Sequence, residues 1–353
     1  MKKISKFLKK KKMPMSKKIV LSAGIVLANV AGYTQGDTHY SQFAAMPLTI
    51  NPATAGMFEG SLRATADYRT QWTSVTTPWK TMAFSSDFKF GEDDQTGNFF
   101  NGGVMVHNDK AGDSNYKTGL YNLAFGYTVH TQYEGYFTMA IQGGMIQNSI
   151  DYSALNWESQ YNGYEFDPSK PTMENKTGAF SFNRGDLSLG IYYFNATNEK
   201  FIFFGGLAAN HVLGHNISMT QVVKDHIMRK YTAHGGCQMV WDRFGLLPNF
   251  LYVYQGPNSI VNIGADYKIW LTDQSQYTGF IDEISVGWGT YYRVGDAILA
   301  SARFNYAGFS LIGNYDFNIS KWKTATLGRG GLEILLSYRA AFGIGKGRST
   351  KFL

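Results

Sequence analysis

The chain has 353 residues, of which 17% are charged and 16% are aromatic, with 39 glycines and 8 prolines. Its formal net charge of +7 comes from nine lysines within the first 18 residues, since subtracting them leaves −2 for the remainder. The bulk of the chain is therefore not basic, and we expect no nucleic-acid partner. Abundant aromatic residues and glycine favour a barrel of many short strands.

Residues 1–35 have the pattern of a bacterial export signal: a lysine-rich start, an apolar run from Ile19 to Ala31, and then small and polar residues. This run is shorter than the roughly 20 residues that a helix needs to span a bilayer. We expect cleavage between Gly32 and Gly36. Cys237, the single cysteine, offers neither a lipid-attachment site near the leader nor an intrachain disulfide.

Apolar and polar residues alternate beyond the leader, and no apolar run of 18 residues occurs there. A membrane-spanning fold would therefore have to use strands instead of helices. A period of two that places apolar residues on one face and polar residues on the other suits a strand between lipid and water. The stretch 259–271 shows this pattern, with Val261, Ile263, Ala265, Tyr267, Ile269 and Leu271 opposite Asn262, Gly264, Asp266 and Lys268.

The repeated alternation predicts an all-β fold, a transmembrane antiparallel up-and-down β-barrel of about 14 strands at residues 61–345, with a periplasmic tail at 346–353. The longest connections, at 148–183, 211–229 and 318–330, would then share the extracellular side. The strands are expected near 61–72, 79–90, 102–108, 116–129, 134–147, 184–194, 200–210, 230–242, 246–255, 258–271, 280–293, 296–306, 308–317 and 331–344.

Residues 36–60 precede the first expected strand and fit neither an amphipathic helix nor a strand. Pro47 and Pro52 interrupt any helix and favour extended conformations at the residues before them. The apolar side chains of this segment nevertheless need burial. We expect a short extended segment, rich in turns, that either folds into the periplasmic mouth of the barrel as a plug or contacts a partner.

Candidate chemical sites are weak in this sequence. His211 and His215 have a spacing that suits metal ligands on a helix, but the pattern places them in a strand end and a loop without a third ligand. We therefore expect solvated loop histidines. No nucleophile and base pair is evident, so we expect no enzyme activity, no cofactor and no metal.

Two motifs carry a family resemblance: "HYSQFAAMPLTINPATAG" at His39–Gly56 and "YRTQW" at Tyr68–Trp72. Together with "RKYTAHGG" and "LEILLSYR" further along, they resemble the PorP/SprF family of the type IX secretion and gliding machinery. The matching positions, which we interpret as a family motif or plug, are Ser41, Gln42, Phe43, Asn51, Pro52, Ala53, Gly56, Arg69, Gln71 and Trp72.

The resemblance implies a barrel in the bacterial outer membrane, in contact with its lipid, that supports secretion or surface anchoring of a large adhesin in gliding. The partner would be the C-terminal domain of the adhesin. Two alternatives remain: a core subunit that docks onto the periplasmic lipoprotein ring, and a passive porin. Aromatic residues of the 148–183 loop, notably Trp157, Tyr161 and Tyr164, either contact the partner or fold over the barrel.

Overall fold

A computed structural model describes residues 36–75, 77–131, 135–173, 178–198, 200–218, 226–272, 283–321 and 323–340. The expected signal peptide at 1–35 and the expected tail at 346–353 lie outside these residues. Within the described part of the chain, no helix is long and apolar enough to cross a membrane.

Fourteen antiparallel strands form a closed barrel in which each strand pairs with its sequence neighbours and the first strand pairs with the last. Closure gives every strand a paired neighbour on both sides along most of its described length. The strands are β1 (Leu62–Gln71), β2 (Trp79–Phe90), β3 (Phe99–Ala111), β4 (Tyr116–Thr131), β5 (Gly135–Asp151), β6 (Ala179–Asn198), β7 (Phe201–Asn210), β8 (Lys230–Trp241), β9 (Phe244–Gln255), β10 (Asn258–Thr272), β11 (Ile284–Arg293), β12 (Ala297–Tyr306), β13 (Phe309–Asn318) and β14 (Arg329–Ala340).

The predicted barrel of 14 strands is confirmed, and most strand limits agree within a few residues. The largest differences are in β5 and β6. Both strands are longer than predicted at the end where they are connected, and their pairing extends to Asp151 and Ala179. The connection between them is therefore 152–178 instead of 148–183, and Phe180 and Phe182 belong to β6. The expected strand residues 280–282 and 341–344 lie outside the described residues.

The connections between strands define two ends of the barrel. The two longest, at 152–178 and 211–229, lie at one end, which we call the outer end; the inner end has tight turns such as 242–243 and 307–308. Barrels of the outer membrane keep long loops outside and short turns in the periplasm. This rule assigns the outer end to the extracellular side.

The two faces of the wall have opposite character, as the alternation predicts. On β10, Ile263 is 52% exposed on the outside, whereas Asp266 and Lys268 are buried on the inside. On β4, Leu123 and Phe125 face outward while Asn122 is buried. An apolar outer surface around a polar interior is the arrangement that a lipid-embedded barrel requires.

Replacing Ile263 by Arg is expected to destabilise the barrel by about 2–4 kcal/mol, because a charge would face the hydrocarbon near mid-strand. The control is Asn262→Ser, which exchanges one polar group for another on the lumen side and should cost much less. Urea unfolding of the lipid-embedded protein, followed on gels by heat-modifiable mobility, measures both. An equal loss of free energy of unfolding in the two variants would contradict the assignment of Ile263 to the lipid face and Asn262 to the lumen face.

Candidate functional site

Residues 36–60 lie inside the barrel, and we call them the lumen segment. Asp37 contacts residues at the outer ends of β8 and β9, whereas Gly56 contacts Asp87 near the inner end of β2. The segment therefore runs through the lumen from the outer end to the inner end before β1 begins. The sequence places a plug at the periplasmic mouth, but the structure extends it along the whole lumen.

The lumen segment is not extended throughout, as its sequence suggested, but contains three short 3-10 helices at Phe43–Ala45, Pro47–Thr49 and Pro52–Thr54, joined by turns and irregular residues. Proline is tolerated at the first position of each of the last two, where its missing N–H would have no partner in the helix. Asn51, the residue before Pro52, is extended, in agreement with the restriction that proline imposes. Three tight turns shorten the segment so that its apolar residues stay within the barrel.

The carboxylate of Glu333 on β14 holds the backbone of the lumen segment near the outer end. Its two oxygens accept the N–H groups of Ser41 and Gln42, each at 2.8 Å. The hydroxyl of Ser41 also donates to Asp316 on β13 at 2.7 Å. Hydrogen bonds between a charged acceptor and backbone N–H groups are among the stronger ones in proteins.

Two arginines balance these buried acids. Arg69 on β1 lies 3.3 Å from Asp316 and 3.4 Å from Glu333, and it donates to the carbonyl of His39. Arg293 on β11 contacts Asp316 at 2.9 Å. The group joins four strands of the wall, β1, β11, β13 and β14, to the segment. Buried charges are tolerable only when they are paired in this way.

A second polar group surrounds Asp37 at the outer end. Its carboxylate lies 2.7 Å from His211 Nε2 and 2.7 Å from Lys230 Nζ, and it accepts a hydrogen bond from Gln255 at 2.9 Å. The other ring nitrogen of His211 is 2.9 Å from Asp186. His211 is only 3% exposed. Our expectation of a solvated histidine was wrong, because the lumen segment brings an acid that lies far away in sequence.

The charged side chains of this second group stabilise one another in their ionised forms. Burial alone would raise the pKa of Asp37, but Lys230 and His211 hold that pKa well below its usual range. Burial alone would lower the pKa of His211, but Asp37 and Asp186 raise it to about 9. His211 is therefore charged at neutral pH and forms a true ion pair with Asp37.

Apolar side chains of the lumen segment pack against the middle of the wall. Phe43 lies edge-on to Tyr291 with ring centroids 5.7 Å apart. Met46 packs in a cluster that includes Ile312, and Leu48 packs in another that includes Met105. Among the described residues, the lumen thus contains three small apolar cores in an otherwise polar interior.

Asn51 fits against two glycines of the wall. Its side-chain amide donates to the carbonyl of Ile191 at 2.9 Å and lies 3.0 Å from His234 Nε2, while its oxygen accepts the N–H of Ala53. A Cβ added at Gly190 would lie 2.0 Å from the Asn51 oxygen, and one at Gly206 would lie 2.5 Å from its nitrogen. These positions leave space for Asn51 because they carry no side chain.

The inner end of the lumen segment is fixed at Gly56. Its N–H donates to Asp87 at 2.8 Å, and Asp87 also forms a bidentate pair with Arg63 at 2.9 and 2.8 Å. Gly56 has a φ of 70°, a left-handed conformation that favours glycine. The glycine of the motif therefore serves the turn that leads to β1.

The structure brings together eight of the ten motif residues, namely Ser41, Gln42, Phe43, Asn51, Pro52, Ala53, Gly56 and Arg69, inside the lumen. Gln71 ends β1 and Trp72, with a φ of 63°, begins the outer turn after it. The three loop aromatics lie elsewhere, on connection 152–178, where Tyr161 and Tyr164 are 56% and 95% exposed and Trp157 is half-buried.

Sequence reasoning missed the wall residues that receive the segment. The sequence could have indicated three of them, Glu333, Asp316 and Asp87, because each is an acid on the lumen face of an alternating strand. Their partners could not be identified, because the contacts cross long separations in sequence. Among the described residues, no group of three or more potential ligand side chains could hold a metal ion.

Gly190→Ala is expected to destabilise the protein by roughly 1–3 kcal/mol, because the new methyl group overlaps Asn51. Gly143→Ala is a matched control, since a Cβ added at Gly143 would meet no atom within 4 Å. Thermal unfolding compares stability, and limited proteolysis reports exposure of residues 36–60. If both variants behave alike, the packing of Asn51 against the wall is not important.

The Asp37 and His211 pair is expected to weaken at alkaline pH. Since the pKa of His211 rises from 6.5 to about 9, its contribution is complete below pH 6.5 and lost as the pH passes through about 9. Since the pKa of Asp37 is lowered from 3.8, its contribution is complete above pH 3.8 and lost in acid.

A spin label at residue 36, in a Cys237→Ser background, measures this attachment. Its mobility should rise between about pH 8 and about pH 10. In a His211→Gln variant the label should already be mobile at neutral pH. Constant mobility in both proteins would contradict the assigned ion pair.

Solved structures with a similar fold are outer-membrane barrels. The toluene transporter TbuX of Ralstonia pickettii is 8% identical, with a TM-score of 0.52 over 85% of this chain and 94% of that one. A deltaS2S3 mutant of the TodX monoaromatic hydrocarbon channel is 10% identical, with a TM-score of 0.51 over 89% of this chain and 100% of that one. Identities this low show the fold alone. No curated protein matches the chain.

A family model gives a more specific result. The model described as type IX secretion system membrane protein PorP/SprF matches residues 33–338. The match includes the lumen segment and nearly all of the 14 strands. Together with the closed barrel, it places the protein in the bacterial outer membrane. The chain belongs to the PorP/SprF family of type IX secretion system membrane proteins.

Proposed function

We propose that this barrel supports the secretion or surface anchoring of a large cell-surface adhesin involved in gliding. The adhesin would bind through its C-terminal domain to the outer connection 152–178. The observation that carries the proposal is the exposure of aromatic residues there: Tyr164 is 95% exposed and Tyr161 is 56% exposed on an extracellular loop of a secretion-family barrel.

The loop has a local structure that suits a binding surface. A 3-10 turn at Glu158–Gln160 precedes an isolated bridge between Tyr161 and Phe166. Gln160 is buried and donates to the carbonyl of Lys170 at 3.1 Å. These contacts restrict the loop while leaving the tyrosines outside. A fixed aromatic side chain binds at a low cost in conformational entropy.

Changing Trp157, Tyr161 and Tyr164 together to Ala is expected to reduce adhesin at the cell surface by about tenfold or more, since hot-spot aromatics each contribute about 2 kcal/mol or more. Surface labelling of the adhesin measures the loss. The control triple variant changes exposed outward residues of the wall, Leu123, Phe125 and Met139, to Val. Unchanged surface adhesin in a folded loop variant would exclude this binding surface.

The alternative role is a core secretion subunit that docks onto the periplasmic lipoprotein ring through inner turns such as 91–98. A deletion strain separates the two roles. Loss of one adhesin alone supports a dedicated anchor, whereas loss of all type IX cargo supports the core role. Measuring both cargo classes in the same strain makes the comparison direct.

The porin alternative is less well supported because the lumen segment occupies the interior of the barrel. Ser41 to Ala55 is largely buried against the wall, so a wide diffusion path has little space. Conductance of the full-length protein in planar bilayers tests this point. A stable open channel would favour the porin, and the same measurement on a variant lacking residues 41–56 would report the contribution of the segment.

A further inference from the structure

A cavity of about 170 Å³ lies between the lumen segment and the inner half of the wall. The segment contributes Pro47, Ile50 and Phe58 to its lining. The side of the wall formed by β7 to β9 is mainly apolar, with Ile202, Phe204 and Leu247, although His234, Gln238 and Asn249 also lie there. The opposite side is polar and comes from β12, β13 and β14, with Arg303, Ser310, Ser337 and Arg339.

Two of the guanidinium groups in this cavity, those of Arg303 and Arg339, donate no hydrogen bond within the described parts of the chain. Arg303 forms only a long ion pair with Asp266, at 3.9 Å. Glu59 and Glu283 attract Arg339 electrostatically without an ion pair within 4.0 Å. Guanidinium groups in this position have all their donors available for a ligand.

The neighbouring charges are already engaged. Arg63 also lines the cavity, but its guanidinium forms the bidentate pair with Asp87 and lies over the ring of Phe58 at 4.6 Å. Glu283 is paired with Lys268 at 2.9 Å. Asp266 also lines the cavity, where it accepts a hydrogen bond from the hydroxyl of Tyr291 at 2.5 Å and reaches Arg303 only at 3.9 Å. Neither Glu283 nor Asp266 forms an ion pair with Arg339.

The position of Arg339 has a cost for the folded protein. It lies directly opposite Arg63 across the pairing of β1 with β14. Like charges directly opposite each other destabilise a sheet. An anion between Arg303 and Arg339 would offset this repulsion, and the planar fork of arginine suits a carboxylate.

We propose that the inner cavity binds a small organic carboxylate with an apolar body. The carboxylate would pair with Arg303 and Arg339, and the body would pack toward the apolar side of the cavity and the lumen segment. The size fits a single ring or a short chain, since a cavity of about 150 Å³ holds benzene.

The test uses purified full-length barrel in detergent and two fluorinated probes of nearly equal shape, 4-fluorobenzoate and its neutral amide, 4-fluorobenzamide. Fluorine NMR titration gives both affinities. We expect the benzoate to bind about tenfold or more tightly than the amide, because hydrogen bonds to charged groups contribute that much. Equal binding of the two probes, or no binding of the benzoate, would overturn the proposal.

Variants locate the site. The double variant Arg303→Gln with Arg339→Gln should lose about tenfold or more of the benzoate affinity, and Arg329→Gln, at the outer end of β14, should keep it. Heat-modifiable gel mobility checks that each barrel is folded. Arg339→Gln alone should fold well because it removes a repulsion. Unchanged affinity in the folded double variant would place the ligand elsewhere.

Discussion

The carboxylate of Glu333, which accepts two consecutive backbone N–H groups from Ser41 and Gln42, is the interaction on which the interior of this barrel depends. A peptide inside a closed barrel exposes backbone groups that no strand pairs, and each must find a partner either within the segment or on the wall. The wall supplies acids for this purpose, and Arg69 compensates their charge. The residues of the family motif and the polar residues on the lumen face therefore belong to one network of hydrogen bonds and ion pairs.

Much of the fold could be predicted because its causes are local. A period of two follows from strand geometry, so the outward direction of Ile263 and the inward direction of Asp266 can be read from neighbouring residues. The ends of β5 and β6 could not be read in this way. Near Asp151 and Ala179 the outward positions carry polar residues such as Ser149 and Ser181, and pairing continues without the apolar outer face that the prediction relied on.

The partners inside the lumen could not be predicted, for a physical reason. Asp37 and His211 are separated by 174 residues, and Ser41 and Glu333 by 292. No local pattern specifies which acid meets which cation across such distances. The motif alone identified the residues that enter the lumen. The role of Gly190 and Gly206 could not be predicted either, because in the sequence a glycine that makes space for Asn51 does not differ from any other glycine in a strand.

The path of the lumen segment also has a consequence for assembly of the barrel. The pairing of β1 with β14 joins the first strand to the last, and the segment contacts Arg69 on one and Glu333 on the other. Both strands of this seam thus carry buried charges whose partners lie on the same peptide. Closing the seam around an empty lumen would leave those groups without the segment. We therefore expect closure of the barrel and burial of its N-terminal segment to be coupled during folding.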